Sequence, residues 1–102
     1  MTTLHIEHAI TDLETWKTGF ARAAELRAQH GVRRYEVRQP VDDPAFVMID
    51  LTFDDAPAAE GFLVELHKIW RTSPALVGSP QTRILENLDM VAASNPSAQD
   101  GL

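Results

Sequence analysis

Two histidines of the sequence, His8 and His67, are placed where a side chain could take up a proton from a bound molecule. His8 ends an alternating apolar stretch and precedes a helix start, so it either hydrogen-bonds the local backbone or faces a cleft. His67 lies three residues before Trp70 on a predicted helix, and residues at that spacing are neighbours on a helix surface. A neutral imidazole accepts protons near neutral pH. We therefore expect His8 and His67 as the candidate catalytic residues.

A set of large apolar side chains could form the walls of a pocket for an apolar or aromatic ligand. Trp16 and Trp70 each extend an apolar stripe at helical spacing, so packing in the core is the alternative explanation of both. Aromatic walls with few polar groups are typical of small-molecule pockets. The predicted ligand-binding residues are Trp16, Phe46, Met48, Phe62 and Trp70.

Several kinds of chemistry are excluded by residues that the sequence lacks. It has no cysteine, which excludes disulfides, thiolate zinc sites and a cysteine nucleophile. His5 and Glu7 form the only local pair that could begin a metal site, and a site needs further ligands. No phosphate-binding glycine loop or nucleophile elbow is present. We therefore predict neither a metal nor a cofactor.

The charge and composition of the chain limit its partners. The 102 residues carry a formal net charge of −6, which opposes nucleic-acid binding because phosphates require a basic surface. Arg33, Arg34 and Arg38 form the one basic cluster, and solvated or ion-paired arginines explain it better than a phosphate site. The sequence shows no signal-peptide pattern and no apolar run of about 18 residues, so we expect a cytoplasmic location and no membrane contact.

The elements that must position these residues follow from the hydrophobic periodicity. Alternating apolar residues predict strands, and apolar residues at intervals of three and four predict helices. The predicted order is a strand at 4–10, a helix from a capping box at 11–14 to Gly31, strands at 32–39 and 45–53, a helix from 54 or 55 to 73, and a strand at 81–89. The domain is predicted at residues 1–90, and residues 91–102, without periodic apolar positions, are predicted to be a disordered tail.

The order of these elements, βαββαβ, predicts an α+β fold of the ferredoxin-like type, a four-stranded antiparallel sheet with two helices on one face. Alternation places Phe46 and Met48 on the open face, away from the helices, with Arg34, Glu36 and Arg38 on the next strand. An exposed apolar patch marks an interface or a groove. We therefore expect a homodimer in which the sheet of a second copy covers this face, its charges paired between subunits or available to a polar ligand.

Part of the sequence resembles a known superfamily. The segment 6–17, IEHAITDLETWK, together with Gly31-Val32 and the run DDP at 42–44, is similar to the dimeric α/β-barrel superfamily, and within it to the antibiotic-biosynthesis-monooxygenase-like proteins. The resemblance extends over residues 3 to about 90. It implies a dimeric α/β barrel of two ferredoxin-like domains packed sheet against sheet. It also implies a cleft between sheet and helices, which in some members binds or oxidises small aromatic molecules.

Two functions agree with this resemblance. The first is a cofactor-independent monooxygenase or cyclase-like enzyme that holds a small aromatic or polyketide-like substrate, with His8 or His67 as the proton acceptor. The alternative is a non-catalytic dimer that binds a small ligand or has a structural role, favoured because the sequence has no recognisable acid–base pair. The presence or absence of a cavity between sheet and helices distinguishes these two functions, since a fully packed interior contradicts the enzyme.

Overall fold

A four-stranded antiparallel sheet organises the chain in the computed structural model, which describes residues 1–89. The strands are β1 (Thr2–Ile10), β2 (Arg34–Arg38), β3 (Phe46–Phe53) and β4 (Leu76–Glu86). They lie in the order β2-β3-β1-β4, which makes β1 and β3 the central strands. This order and the antiparallel pairing are those of the ferredoxin-like fold. The fold class predicted from the sequence is thereby confirmed.

Three helices of the described residues cover one face of the sheet: α1 (Leu13–Arg22), α2 (Ala24–Gln29) and α3 (Ala56–Trp70). The prediction of one continuous first helix is wrong, because the helix is interrupted at Ala23. There the backbone has φ −89° and ψ 7°, and the Ala23 N–H donates to the carbonyl of Phe20 at 3.2 Å. The spacing of apolar residues could not reveal this break because the apolar stripe continues across it.

Helix α1 begins at an aspartate cap. The Asp12 carboxylate accepts a hydrogen bond from the Thr15 N–H at 2.8 Å, which satisfies one of the free amides of the first turn. The predicted capping box at 11–14 therefore lies one residue too early. The Thr11 hydroxyl, its expected cap, instead donates to the carbonyl of Pro74 at 3.3 Å. This contact ties the start of α1 to the segment that leads into β4.

Helix α3 has three buried residues, more than either of the other two described helices. Of the two aspartates predicted as its cap, Asp55 serves, and its carboxylate accepts from the Ala58 N–H at 3.0 Å. Pro57 occupies the first turn, where a missing N–H costs no hydrogen bond. The buried residues recur at intervals of three and four: Ala59, Phe62 and Leu66. This stripe presses α3 onto the sheet.

The core lies between the helices and one face of the sheet. Burial alternates along β1 and β3, with every second residue facing the helices. The strands contribute Leu4, Ile6, Ile10, Val47, Ile49, Leu51 and Phe53, and the helices contribute Trp16, Ala59, Phe62 and Leu66. The predicted orientation of the third strand is confirmed.

Strand β4 begins at Leu76, earlier than the predicted start at residue 81. Gly78 and Pro80, residue types that usually end a strand, lie inside it. Gly78 adopts φ 73°, and the register against β1 shifts between Glu7 and Ala9. Pro80 is tolerated because β4 is an edge strand of the sheet, where a missing N–H breaks no central ladder.

The described part of the chain ends at residue 89. Residue 90 and the predicted tail at 91–102 lie outside it. Among the helices in the described part, none has the length and apolar character needed to cross a membrane.

Candidate functional site

A cavity of about 100 Å³ lies between the helices and the sheet, and we call it the helix-side cavity. Most of its wall is apolar. The sheet contributes Ile6, Ile49 and Leu51, and the helices contribute Trp16, Phe20, Phe62, Leu66 and Trp70. The chain's own side chains thus leave unfilled space on the side of the sheet where the resemblance implied a cleft.

Aromatic rings form much of this wall. Trp16 and Phe20, one helical turn apart in α1, stack with their centroids 4.8 Å apart and 20° between their planes. Phe62 of α3 packs against the fully buried Phe53 with centroids 5.8 Å apart. Trp70 completes the aromatic wall from the end of α3. Three of the predicted ligand-binding residues, Trp16, Phe62 and Trp70, therefore line one cavity.

The other two predicted ligand-binding residues, Phe46 and Met48, lie on the open face of the sheet. Their neighbours Val47 and Ile49 are buried against the helices, and side chains alternate between faces along a strand. The five residues predicted to surround one ligand are therefore separated by the thickness of the sheet. This corrects the predicted pocket: Phe46 and Met48 are not part of the helix-side cavity.

Among residues 1–89, Arg27 of α2 is the only charged residue in the wall of the helix-side cavity. It is 8% exposed, and its Nη1 donates to the carbonyl of Phe20 at 2.6 Å. Its guanidinium carbon lies 3.8 Å from the centre of the Phe20 ring and 5.0 Å from that of Tyr35, both within cation–π distance. Burial lowers the pKa of Arg27, and Tyr35 opposes this shift. Arginine remains protonated in proteins, so the wall contains a buried cation.

His8 is buried on the helix side of β1, at 4% exposure. Its ring lies 6.4 Å from the indole of Trp16, measured between centroids, and it is not part of the cavity wall. When Nδ1 is protonated, it donates to the carbonyl of Ala9 at 3.3 Å. Burial lowers the pKa of His8, which leaves the imidazole neutral at pH 7. Of the two positions expected for His8, the structure shows the backbone contact, with the ring behind Trp16.

His67 is exposed on the outer surface of α3, where its ring packs 5.4 Å from that of Trp70. A further histidine, His30 at the end of α2, lies 5.6 Å from the ring of Phe62. Both therefore contact aromatic residues of the cavity wall without belonging to it. None of the four histidines, all of which lie within residues 1–89, lines the helix-side cavity.

A chain of charge contacts crosses the open face of the sheet, and we call it the open-face network. It joins side chains of β1, β3 and β2 in the order Glu7, His5, Asp50, Arg38, Glu36, Arg34. Within it, Arg38 Nη1 donates to Asp50 Oδ2 at 2.9 Å. The clustered arginines are thus ion-paired within the chain, as the sequence predicted, and Arg33 is likewise paired with Asp54 at 2.6 Å.

His5 bridges two carboxylates of the open-face network. Its Nδ1 lies 2.6 Å from Asp50 Oδ1, and its Nε2 lies 3.0 Å from Glu7 Oε2. Hydrogen bonding to Glu7, and then to Asp50, raises the pKa of His5, because both carboxylates favour the protonated ring. The two carboxylates contact opposite sides of the ring and do not converge on one point. Across residues 1–89, no three potential ligands are grouped to hold a metal ion.

Arg27 was not predicted as a site residue. The sequence carried one signal: Arg27 follows Phe20 and Ala23 at helical spacing, so a charged residue interrupts an otherwise apolar stripe. A long side chain in that position is usually explained by its apolar stem covering the core while its charge reaches water. Only the structure shows that the Arg27 side chain as a whole is buried.

Comparison with solved structures places this fold among known proteins. SnoaB, a cofactor-independent oxygenase from Streptomyces nogalater, matches with a TM-score of 0.71 and 14% identity over 88% of this chain and 95% of its own. NE2512, a protein of unknown function from Nitrosomonas europaea, matches with a TM-score of 0.69 and 13% identity over 92% of this chain and 95% of its own. A third structure, an antibiotic biosynthesis monooxygenase, has a TM-score of 0.65 and 9% identity over 87% of this chain and 100% of its own.

These matches confirm the fold implied by the sequence resemblance. The chain has the ferredoxin-like fold of antibiotic biosynthesis monooxygenases. Identities of 9–14% carry the likeness no further than the fold. No family model and no curated protein matches the sequence.

Proposed function

We propose that the protein binds a small aromatic molecule in the helix-side cavity and oxygenates it without a cofactor. The observation that carries the proposal is an unfilled space walled by Trp16, Phe20, Phe62 and Trp70 on the helix side of the sheet. Aromatic walls bind aromatic ligands through stacking and edge contacts as well as through apolar burial. The fold of SnoaB, a cofactor-independent oxygenase, supports the reaction class.

The reaction needs no external reductant when the substrate is an electron-rich phenol. Dioxygen adds at the ring carbon opposite the hydroxyl, one of its oxygen atoms stays there as a carbonyl, and the other leaves as water. Phenol and dioxygen thus give a para-quinone and water, with all four electrons supplied by the ring. The chain must hold the ring and help remove its phenolic proton. His8, neutral and behind Trp16, is the proposed acceptor once the indole moves aside, and His67 is the second candidate.

The size of the cavity limits the range of substrates that can bind in it. A cavity of roughly 150 Å³ is known to accommodate benzene, whereas the helix-side cavity measures about 100 Å³. A single ring therefore fits with small side-chain shifts, and a fused polyketide needs far larger ones. Among the small aromatic and polyketide-like substrates expected from the sequence, the volume favours single-ring phenols.

The test is dioxygen uptake with resorcinol as substrate, measured with an oxygen electrode after dialysis against EDTA. We expect uptake matched one to one by the hydroxyquinone product. Trp70→Leu should reduce kcat/KM by at least about tenfold, because it removes part of the aromatic wall. Val64→Ala, an exposed position on the same helix, is the matched control and should leave the rate unchanged. Quinone formation at the rate of buffer alone contradicts the oxygenase.

A second candidate function is binding without catalysis. It is favoured by the composition of the wall: of the described residues that line it, Arg27 alone is ionisable, and these residues place no acid–base pair at the cavity. Both tryptophans of the chain line the cavity, and their fluorescence therefore reports its occupancy. A ligand that quenches this fluorescence and causes no dioxygen uptake would favour a binding protein over an enzyme.

We also propose that two copies associate through the open faces of their sheets. The half-buried apolar pair Phe46 and Met48 lies on this face, and Leu85 of β4, at 40% exposure, faces the same way. A second sheet is the simplest cover for such a patch. Sedimentation equilibrium should give twice the 11.3 kDa mass of one chain. A single-chain mass at micromolar concentration contradicts the dimer.

A further inference from the structure

Arg27 differs from the paired arginines of this protein. Arg33, Arg34 and Arg38 are exposed and each contacts a carboxylate. Arg27 is buried, and no carboxylate of residues 1–89 lies within ion-pairing distance of it. A buried cation without an anion is unfavourable, because the charge loses its hydration and gains no opposite charge in return. Its retention in the wall of a cavity requires an explanation.

The local contacts of Arg27 satisfy it only in part. Nη1 donates to the carbonyl of Phe20, at the place where α1 and α2 separate. The rings of Phe20 and Tyr35 contribute cation–π attraction, which holds the guanidinium in position. None of these partners carries a full negative charge at neutral pH. These contacts hold the side chain in place beside the cavity, and its charge has no carboxylate partner among residues 1–89.

We propose that Arg27 is the anion-recognition residue of the helix-side cavity and selects aromatic ligands that carry a negatively charged oxygen. The ring of such a ligand contacts the aromatic wall, and its carboxylate or aryloxide accepts hydrogen bonds from the guanidinium. Charge-assisted bonds of this kind are about twice as strong as neutral ones, and the apolar surroundings strengthen them further. The inference rests on the binding half of the proposed function and not on the oxygenation.

An aryloxide connects this residue to the proposed chemistry. A phenol reacts with dioxygen more readily once it has lost its proton, and a cation beside the oxygen favours that loss. Arg27 would thus lower the pKa of a bound phenol without itself taking up the proton. A carboxylate uses the same guanidinium for binding alone. The chemical identity of the oxygen therefore distinguishes a substrate from a ligand that is only held.

The experiment compares two probes of equal shape, benzoate and benzamide, by quenching of the cavity tryptophans at neutral pH. We expect benzoate to bind at least roughly tenfold more tightly, the difference between a charge-assisted and a neutral hydrogen bond. Arg27→Met should abolish this preference, and Arg27→Lys should retain part of it. Arg22→Met, which removes the same charge from an exposed position of α1, should keep the preference intact.

A second arm uses 4-nitrophenol, whose ionised form absorbs visible light. Binding should shift its titration toward lower pH in the wild type and not in Arg27→Met. A preference in this arm alone assigns an aryloxide, and a preference for benzoate alone assigns a carboxylate. Circular dichroism establishes that each variant is folded. If Arg27→Met does not fold, the wild-type comparison and Arg27→Lys still decide the question.

Equal affinity of the wild type for benzoate and benzamide would overturn the role of Arg27 while leaving aromatic binding intact. Binding of neither probe would overturn it as well, together with the proposed cavity ligand. A benzoate preference without any dioxygen uptake would support Arg27 and contradict only the oxygenase. Failure of this inference and failure of the proposed reaction are thus separate results.

Discussion

Histidines and arginines on the two faces of the sheet differ in burial and in the charged groups that they contact. On the helix side, His8 is buried next to Trp16 and burial lowers its pKa. On the open face, His5 lies between two carboxylates that raise its pKa. These histidines are three residues apart on one strand. The difference teaches that two histidines on one strand have pKa values shifted in opposite directions because their side chains lie on opposite faces of the sheet, in different surroundings.

Arginines show the same contrast. Arg38 of the open face contacts Glu36 and Asp50 and is exposed, whereas Arg27 of the helix side is buried without a carboxylate among the described residues. The charged residues of the open-face network are therefore paired within the chain. The charge of Arg27 on the helix side is the one that we propose binds an anionic ligand.

The largest expected effect is on the free energy of unfolding, and it differs between residues on the two faces of the sheet. Phe53→Ala should lower the free energy of unfolding by roughly 3–5 kcal/mol, because the side chain is fully buried and its removal leaves a void. Phe46→Ala, on the open face, should cost about 1 kcal/mol at dilute protein. Urea unfolding at two protein concentrations measures both. The Phe53 loss should not depend on concentration, whereas the Phe46 loss should grow with it. Equal losses would contradict the division of the sheet into a core face and an association face.

The next effect concerns association. Met48→Asp should weaken the dimer by on the order of 100-fold, because a new carboxylate would be buried between the sheets without a partner. Val64→Asp introduces the same charge at a site on α3 that is 56% exposed, and it should leave the dimer intact. Sedimentation equilibrium reports the mass, and circular dichroism the fold. A Met48→Asp protein that remains dimeric would place the association surface elsewhere.

The smallest expected effect is the pH dependence of stability, which has opposite signs for His5 and His8. Because the pKa of folded His5 lies above the ordinary 6.5, its contribution to stability is complete below that value and is lost as the pH rises through the raised pKa. Because the pKa of folded His8 lies below 6.5, its contribution is present above that value and is lost as the pH falls through the lowered pKa. Each slope is at most about 1.4 kcal/mol per pH unit for one proton.

Urea midpoints between about pH 5 and about pH 8 measure these slopes. His5→Gln should remove the loss of stability on the alkaline side, and His8→Gln should remove the loss on the acid side. The same replacement at exposed His67 controls for the chemistry of the substitution. Slopes of the same sign for the two histidines would show that the faces do not differ in the way described.

Much of the fold could be predicted from the sequence. Alternation along residues 45–53 gave the correct faces of β3, because a strand has a period of two. Glycine and proline were less reliable guides to where a strand begins. Gly78 and Pro80 precede the predicted start of the last strand, yet both lie inside the edge strand β4, whose register against β1 shifts between Glu7 and Ala9. Glycine and proline mark places where the chain can turn. Whether the strand continues through them depends on its hydrogen bonds to a neighbouring strand.

The sequence by itself determined the order of elements and the helix-side location of Trp16, Phe62 and Trp70, since periodicity fixes which residues share a face. Only the tertiary structure decided that the ring of His8 lies next to Trp16 without lining the cavity, and that the Arg27 side chain is buried in the wall of the cavity. The physical reason is that burial and the company of other charges depend on residues far apart in the chain. The sequence pattern of a charged residue on an apolar stripe is the same whether its charged group contacts water or a cavity. Only the packing of the surrounding elements distinguishes the two.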